Sequence, residues 1–212
     1  MRYVYLHGFA SGPTSRKARF FQNAFAKKGI HLEIPALDRG DFEHLTVSGQ
    51  LGALDSLLSA APARLLGSSM GGYLSCLYAA THPEIERMVL LAPAFDFVDL
   101  LDRSNPPDKL AAWRDSGWTD VFHHSTGATR PLHYGLIHDA RQYPAIPEFL
   151  QPALIFHGTA DDVVPISLSR AFAAAHPNVD LIELPSGHEL LDVLDQIAAR
   201  AIPFLTAGRP AR

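Results

Sequence analysis

At six places, residues 3–6, 31–34, 63–67, 87–91, 153–157 and 179–184, the chain gathers a short run of apolar, β-branched or aromatic side chains. Between most of these runs the apolar residues return at helical spacing instead. Residues 15–28 place Phe20, Phe21, Ala24 and Phe25 on one helical face, and residues 46–59 repeat Leu at 51, 54, 57 and 58. Helical patterns also cover Met70–Thr81, 167–175 and 190–205. Strand and helix in alternation predict an α/β fold: three layers, α/β/α, around a mostly parallel sheet of about six strands. Ligands of such sheets bind beyond the carboxyl ends of the strands, so the turns that follow the six runs are the places to look for function.

One stretch breaks the rhythm. Residues 95–151 hold no clear parallel strand but carry both tryptophans, four histidines and four prolines before Pro147. Long ordered connections are commonly functional, and the segment reads as a lid inserted into one domain spanning 1–206. A short helix is expected over 108–115 and a hairpin around Gly127. The plainer alternative is an irregular pair of helices on the sheet edge. The tail 207–212, AGRPAR, is expected to fray.

Composition narrows the function. At 212 residues with a formal net charge of −4, the chain offers no electrostatic reason to bind nucleic acid. No apolar run approaches the roughly 18 residues that would span a bilayer, and the opening MRYVYLHGF lacks the charged head and cleavage site of a signal peptide. Cys76 is the single cysteine and has no internal disulfide partner, so a reduced, cytoplasmic setting is the default.

The run at 63–67 ends in LLGSSMGGYL. A Walker loop would need a lysine to reach phosphate, and a dinucleotide loop would need G-x-G-x-x-G; neither is present. What matches is G-x-S-x-G, with Gly67, Ser69 and Gly71. This motif makes a sharp strand-to-helix turn in which side chains two positions either side of the serine would collide with backbone. Centring it on Ser68 would put Leu66 and Met70 at the tight positions. Ser69 is therefore the nucleophile candidate, and the turn aims a helix amino end at the reacting centre.

A serine needs a base to take its proton, and the base needs an acid to hold its tautomer. In this architecture the chain order is serine, acid, histidine. After the run at 153–157 comes HGTADDVVP, which places Asp161 in the loop past the strand end, with Asp162 its nearest rival and Asp96 a more distant one. After the run at 179–184, PSGHEL places His188 just ahead of the final helix. An oxyanion hole takes two backbone N–H groups. Met70 follows the nucleophile, and Phe9 follows Gly8 in the YLHGFASGP loop, where His7 is expected to organise the loop. Trp113, Trp118 and Val163 are candidates for the substrate pocket. His123, His124, His133, His138 and Asp139 crowd the insertion without a known zinc spacing, so no metal site is expected.

YLHGFASGP, GSSMGGY, HGTADDVVP and PSGH together resemble the α/β-hydrolase superfamily across residues 5–188, and the opening H-G-F-x-S-x-P with GSSMGGY is similar to small YqiA-like predicted esterases. Insertion 95–151 and the aspartate loop depart from that smaller pattern. Because the first recognisable strand runs directly into H-G, a reduced version of the fold is expected. The resemblance implies hydrolysis of a small carboxylic ester or thioester through an acyl-serine, with no cofactor, by a Ser69–Asp161–His188 triad. A thioesterase, a peptide or lactone hydrolase, or an acyltransferase would share this apparatus, and a binding protein retaining the fold is the non-enzymatic alternative. For an enzyme, activity should fall at acid pH as His188 protonates.

Overall fold

The computed structural model describes residues 1–208. In chain order its elements are β1 (Arg2–Leu6), α1 (Arg16–Ala26), α2 (Val47–Leu58), β2 (Ala63–Ser68), α3 (Met70–Thr81), β3 (Ile85–Leu91), α4 (Phe97–Ser104), α5 (Pro107–Ser116), β4 (Trp118–His123), β5 (Ala128–His133), α6 (Gly135–Ala140), β6 (Ala153–Gly158), α7 (Ile166–Ala175), β7 (Val179–Leu184) and α8 (Leu194–Thr206). Side chains close the helix starts that the periodicity predicted. Ser15 accepts from the Ala18 N–H ahead of α1, and Thr46 accepts from the Gly49 N–H ahead of α2.

β1, β2, β3, β6 and β7 lie side by side in that order, every pair parallel. The sheet therefore has five strands rather than about six. The run at 31–34 reaches the free edge of β1 but pairs only through the bridge between Val4 and Glu33. Its two backbone hydrogen bonds, Tyr5 N–H to Glu33 O and Glu33 N–H to Tyr3 O, are both 2.8 Å. Pro35 follows directly and brings no N–H to extend the ladder.

Alternation along each strand sends side chains to two cores. Tyr5, Leu66, Val89 and Phe156 meet Phe21 and Phe25 of α1 and Ile197 and Leu205 of α8. Val4, Leu65, Leu90 and Ile155 meet Leu54 of α2, Leu74 of α3 and Phe172 of α7. Helices thus cover both faces of the sheet.

Segment 95–151 folds into α4, α5, the antiparallel β4–β5 hairpin and α6. The expected helix over 108–115 is α5, and the hairpin turns at 124–127, where Gly127 has φ 68°. Phe97, Leu100, Trp113, Leu132 and Leu136 continue the second core, so the insertion is packed onto the sheet layers. At the tail, the Ala207 carbonyl accepts from Arg64 at 2.8 Å and the Gly208 carbonyl from Arg87 at 3.2 Å, whereas 209–212, also expected to fray, lie outside the described residues. Among the described residues no helix is long and apolar enough to cross a membrane.

Candidate active site

β2 passes into α3 through one residue, Ser69, held at φ 53°, ψ −118°. Such a backbone costs about 1–3 kcal/mol. Its own hydrogen bonds hold it there. The Ser69 N–H donates to Leu91 O at 2.8 Å, and Ser69 O accepts from Gly72 at 2.9 Å and Ala94 at 3.1 Å. Behind it, α3 buries Met70, Leu74 and Leu77. Each is worth roughly 1.5–3 kcal/mol of burial, so the packing of α3 outweighs the strain. The flanking glycines are sterically required: a Cβ on Gly67 would sit 2.3 Å from Gly71 O, and one on Gly71 only 2.1 Å from Leu6 O. Ser68 is buried, and its hydroxyl engages the Tyr5 phenol, which burial pushes to a higher pKa against that hydrogen bond. The two adjacent serines are thereby separated: Ser69 opens to a cavity and Ser68 faces the core.

Asp161 and His188 come from the loops after β6 and β7. Those loops are tied by Thr159 N–H to Leu184 O at 2.8 Å and Ala160 N–H to Ser186 O at 3.0 Å. Gly158 permits the approach, since a Cβ there would lie 2.3 Å from Ser186 O. The result is a continuous chain of hydrogen bonds. His188 Nε2 stands 3.1 Å from Ser69 Oγ, and His188 Nδ1 stands 2.8 Å from Asp161 Oδ2. Asp161 Oδ1 accepts the N–H groups of Val163 and Val164 at 2.9 and 2.8 Å. Burial of this carboxyl favours its protonated form. The hydrogen bonds from His157, His188 and Val164 overcome that and hold it well below the usual carboxylate range. Asp162 is exposed and outside the relay, and Asp96 heads α4 at φ 59°. The His188 loop is braced on both sides, by Ser186 Oγ on Asp192 at 2.5 Å and by Lys17 on Glu189 at 3.5 Å.

The loop after β1 runs beside the serine. A Cβ on Gly8 would lie 3.4 Å from Ser69 Cβ, and Phe9 borders the same cavity as Ser69. Met70 opens α3, where an N–H has no preceding turn to accept it. Of the two backbone positions expected to face an oxyanion, Phe9 borders the cavity and Met70 is the residue next to the serine in the chain. His7 is buried; its Nε2 accepts the Leu37 N–H at 3.4 Å, which leaves the Nδ1 proton for Gly8 O at 3.1 Å. It spans the loop and takes no part in the relay.

Ser69 opens into a cavity of about 350 Å³ between the sheet end and the 95–151 segment. Phe9, Ala94, Phe97, Leu100, Trp113, Val121, Phe122, Val163 and Val164 give it an apolar lining, with Asn105, Lys109 and Asp120 among its polar groups. Trp113 is fixed by donating its indole N–H to Leu132 O at 3.0 Å. Val163 is half exposed at the mouth. Trp118, expected at the pocket, stands outside it, its ring against His44 and His133. Trp118 is the exposed first residue of β4, and the next four residues, Thr119 to Phe122, border the cavity instead. Phe97, Leu100 and Phe122 also line the cavity; in the sequence only the amphipathic spacing of α4 points to the first two, and nothing marks Phe122. Three of the residues that crowd the insertion engage protein groups. His123 Nδ1 meets Thr126 at 3.1 Å, His133 Nδ1 accepts the Gly135 N–H at 3.1 Å, and Asp139 holds the Ser48 N–H at 2.8 Å. A cavity of about 510 Å³ at the amino ends of β3 and β6, lined by Ile85, Arg87 and Pro152, is remote from Ser69.

Parallel sheet, strained serine turn, and acid and histidine loops at consecutive strand ends define an α/β-hydrolase fold. Solved structures share it. A protein from Agrobacterium vitis S4 superposes with a TM-score of 0.81 at 24% identity, covering 96% of this chain and 87% of that one. Alpha/beta hydrolase domain-containing protein 10 from mouse gives 0.77 at 19%, covering 94% and 87%. Est1E from Butyrivibrio proteoclasticus, in a structure with ferulic acid bound, gives 0.75 at 20%, covering 96% and 89%. No curated protein matches the sequence. The profile of an uncharacterised protein family, UPF0227, matches residues 2–206, and the chain belongs to that family.

Proposed function

We propose that this protein is a serine hydrolase that cleaves a small carboxylic ester or thioester through an acyl-serine. The observation that carries the reading is the unbroken Ser69–His188–Asp161 relay opening into an apolar cavity. His188 takes the Ser69 proton as the hydroxyl oxygen attacks the substrate carbonyl carbon, and ionised Asp161 stabilises the imidazolium. The N–H groups of Phe9 and Met70 stabilise the oxyanion. Its collapse breaks the bond to the alcohol or thiol, which leaves with the proton from His188. Water, deprotonated by His188, then attacks the acyl-serine; the acid is released and the proton returns to Ser69. Every proton is carried by His188, so the cycle consumes only ester and water. The Est1E complex supports an acyl group of modest size, because that protein shares the fold and holds a small carboxylic acid.

Hydrolysis of p-nitrophenyl esters of increasing acyl length tests the reading. Wild type turns over the shorter esters, Ser69→Ala loses roughly 10⁴-fold or more in kcat, and Ser68→Ala stays active. Full activity in Ser69→Ala would overturn the assignment. A wild type inert toward all esters, with Ser69 unlabelled by a fluorophosphonate, would favour a binding protein.

A further inference from the structure

A second imidazole reaches the same carboxylate. His157, near the end of β6, is completely buried. Its Nε2 lies 2.9 Å from Val164 O and 3.2 Å from Asp161 Oδ2, and its Nδ1 lies 2.8 Å from Ser169 Oγ on α7. A carbonyl oxygen only accepts, so the proton sits on Nε2 and the Ser169 hydroxyl donates to Nδ1. This tautomer directs one N–H at Val164 O and at the carboxylate oxygen that His188 also uses.

We propose that His157 is a positioning residue for the reaction above, and that it acts by fixing the plane of the Asp161 carboxylate toward His188; the inference rests on the serine hydrolase reading. Asp161 Oδ1 is pinned by two backbone N–H groups, but those bonds alone let the carboxylate pivot about Oδ1. His157 supplies the second fixed point, at Oδ2. Val164 closes a ring: its N–H goes to Asp161 Oδ1, and its carbonyl takes the His157 N–H. Ser169 sets the tautomer and links that ring to α7. A histidine filling core space would need none of this. An apolar side chain packs as well in a sheet interior, and a buried imidazole carries the burden of satisfying both nitrogens.

The test uses His157→Phe, His157→Gln and Ser169→Ala, with Ser69→Ala as reference and thermal melts to establish folding. For the best p-nitrophenyl ester, His157→Phe loses about 10–100-fold in kcat with KM within about threefold, the size typical of losing a group that orients a reacting residue. His157→Gln, whose amide N–H reaches toward the Nε2 position, restores a large part of the loss. Ser169→Ala loses several-fold, because Nδ1 then lacks the donor that fixes its tautomer. The fluorophosphonate labelling rate of Ser69 follows the same order. A folded His157→Phe with kcat within twofold of wild type overturns the proposal, as does equal loss in the Phe and Gln variants. Should His157→Phe not fold, Ser169→Ala decides, and unchanged kcat there overturns it. If Ser69→Ala keeps full turnover, the hydrolase reading itself falls and this inference with it. If Ser69 is required while the His157 and Ser169 variants match wild type, only the positioning role falls.

Discussion

The carboxyl end of the parallel sheet and the segment over it, 95–151, hold their groups by different means. At the sheet end, backbone sets much of the position: the Ser69 φ of 53°, two N–H groups on Asp161 Oδ1, and the bonds from Thr159 and Ala160 that clip the acid loop to the histidine loop. The overlying segment is tied down by two backbone bonds, His124 N–H to Ala10 O and His133 N–H to Glu43 O, both 2.8 Å. Side chains add to these within it and beneath it. Trp113 reaches Leu132, Asp139 reaches Ser48, and Tyr73 of α3 reaches up to Pro144 O at 2.9 Å. Backbone geometry tolerates few substitutions, whereas side-chain attachment can be rebuilt with other residues. The chemistry of the proposed reaction therefore belongs to the rigid half, and the choice of acyl group to the replaceable half.

Four measurements would break or sharpen that contrast. The largest effect is expected at the sheet end: Asp161→Asn keeps the shape but loses the charge, and kcat for the proposed ester hydrolysis should fall roughly 10³–10⁴-fold with little change in KM. A fall of less than tenfold would mean the relay is not what drives the reaction. In the cavity wall, Val121→Trp should leave the shortest ester within about threefold in kcat/KM and cut longer ones by about tenfold or more, because it fills volume without touching the relay. Uniform loss across chain lengths would show that the cavity does not seat the acyl group.

Acid should separate the buried histidines from the Asp161 carboxylate. Burial pushes the imidazoles of His7, under the serine loop, and His123, at the hairpin tip, below their ordinary range. A histidine with a lowered folded-state pKa favours folding when neutral, so this contribution is complete above the ordinary value of about 6.5 and is lost as pH falls below it. Asp161 behaves differently. Its folded-state pKa is depressed, so its contribution is present above the unfolded value of about 3.9 and is lost only as pH falls below that. His7 and His123 should thus lower thermal stability from pH 7 to 5, opposed by His176, which is held above its ordinary range against its burial by Glu148. His123→Phe should make the decline shallower; an unchanged pH dependence in the variant would clear His123. The smallest effect is expected at Trp118. Trp118→Ala should leave kcat and KM within about twofold and cost at most about 1 kcal/mol, and a tenfold rise in KM would bring it back to the substrate.

Much of the rigid half is legible in the residues themselves. Gly67 and Gly71 around Ser69 are written in the sequence because the turn admits no side chain at either place. Asp161 and His188 follow from strand ends and chain order. The sixth strand misled because apolar content at 31–34 says nothing about Pro35 ending the pairing after a single bridge. Trp118 misled in a related way. An aromatic residue in a functional-looking segment carries no mark of where it will stand: Trp118 and Phe122 share a face of β4, and only Phe122 borders the cavity. His157 was in plain view beside Gly158 and Asp161, yet its share of the carboxylate exists only once α7 brings Ser169 to its other nitrogen.

By itself, then, the sequence determined the alternating α/β plan, the strained turn at Ser69, and the loops that bear Asp161 and His188. These rest on local rules: periodicity, the steric demand for glycine, and the order of strand ends. Only the tertiary structure decided that Ser68 faces Tyr5, that Oδ2 of Asp161 serves two histidines, and which of the segment's aromatics line the cavity. Those are contacts between residues far apart in the chain, and the distance between such residues is set by how the layers pack.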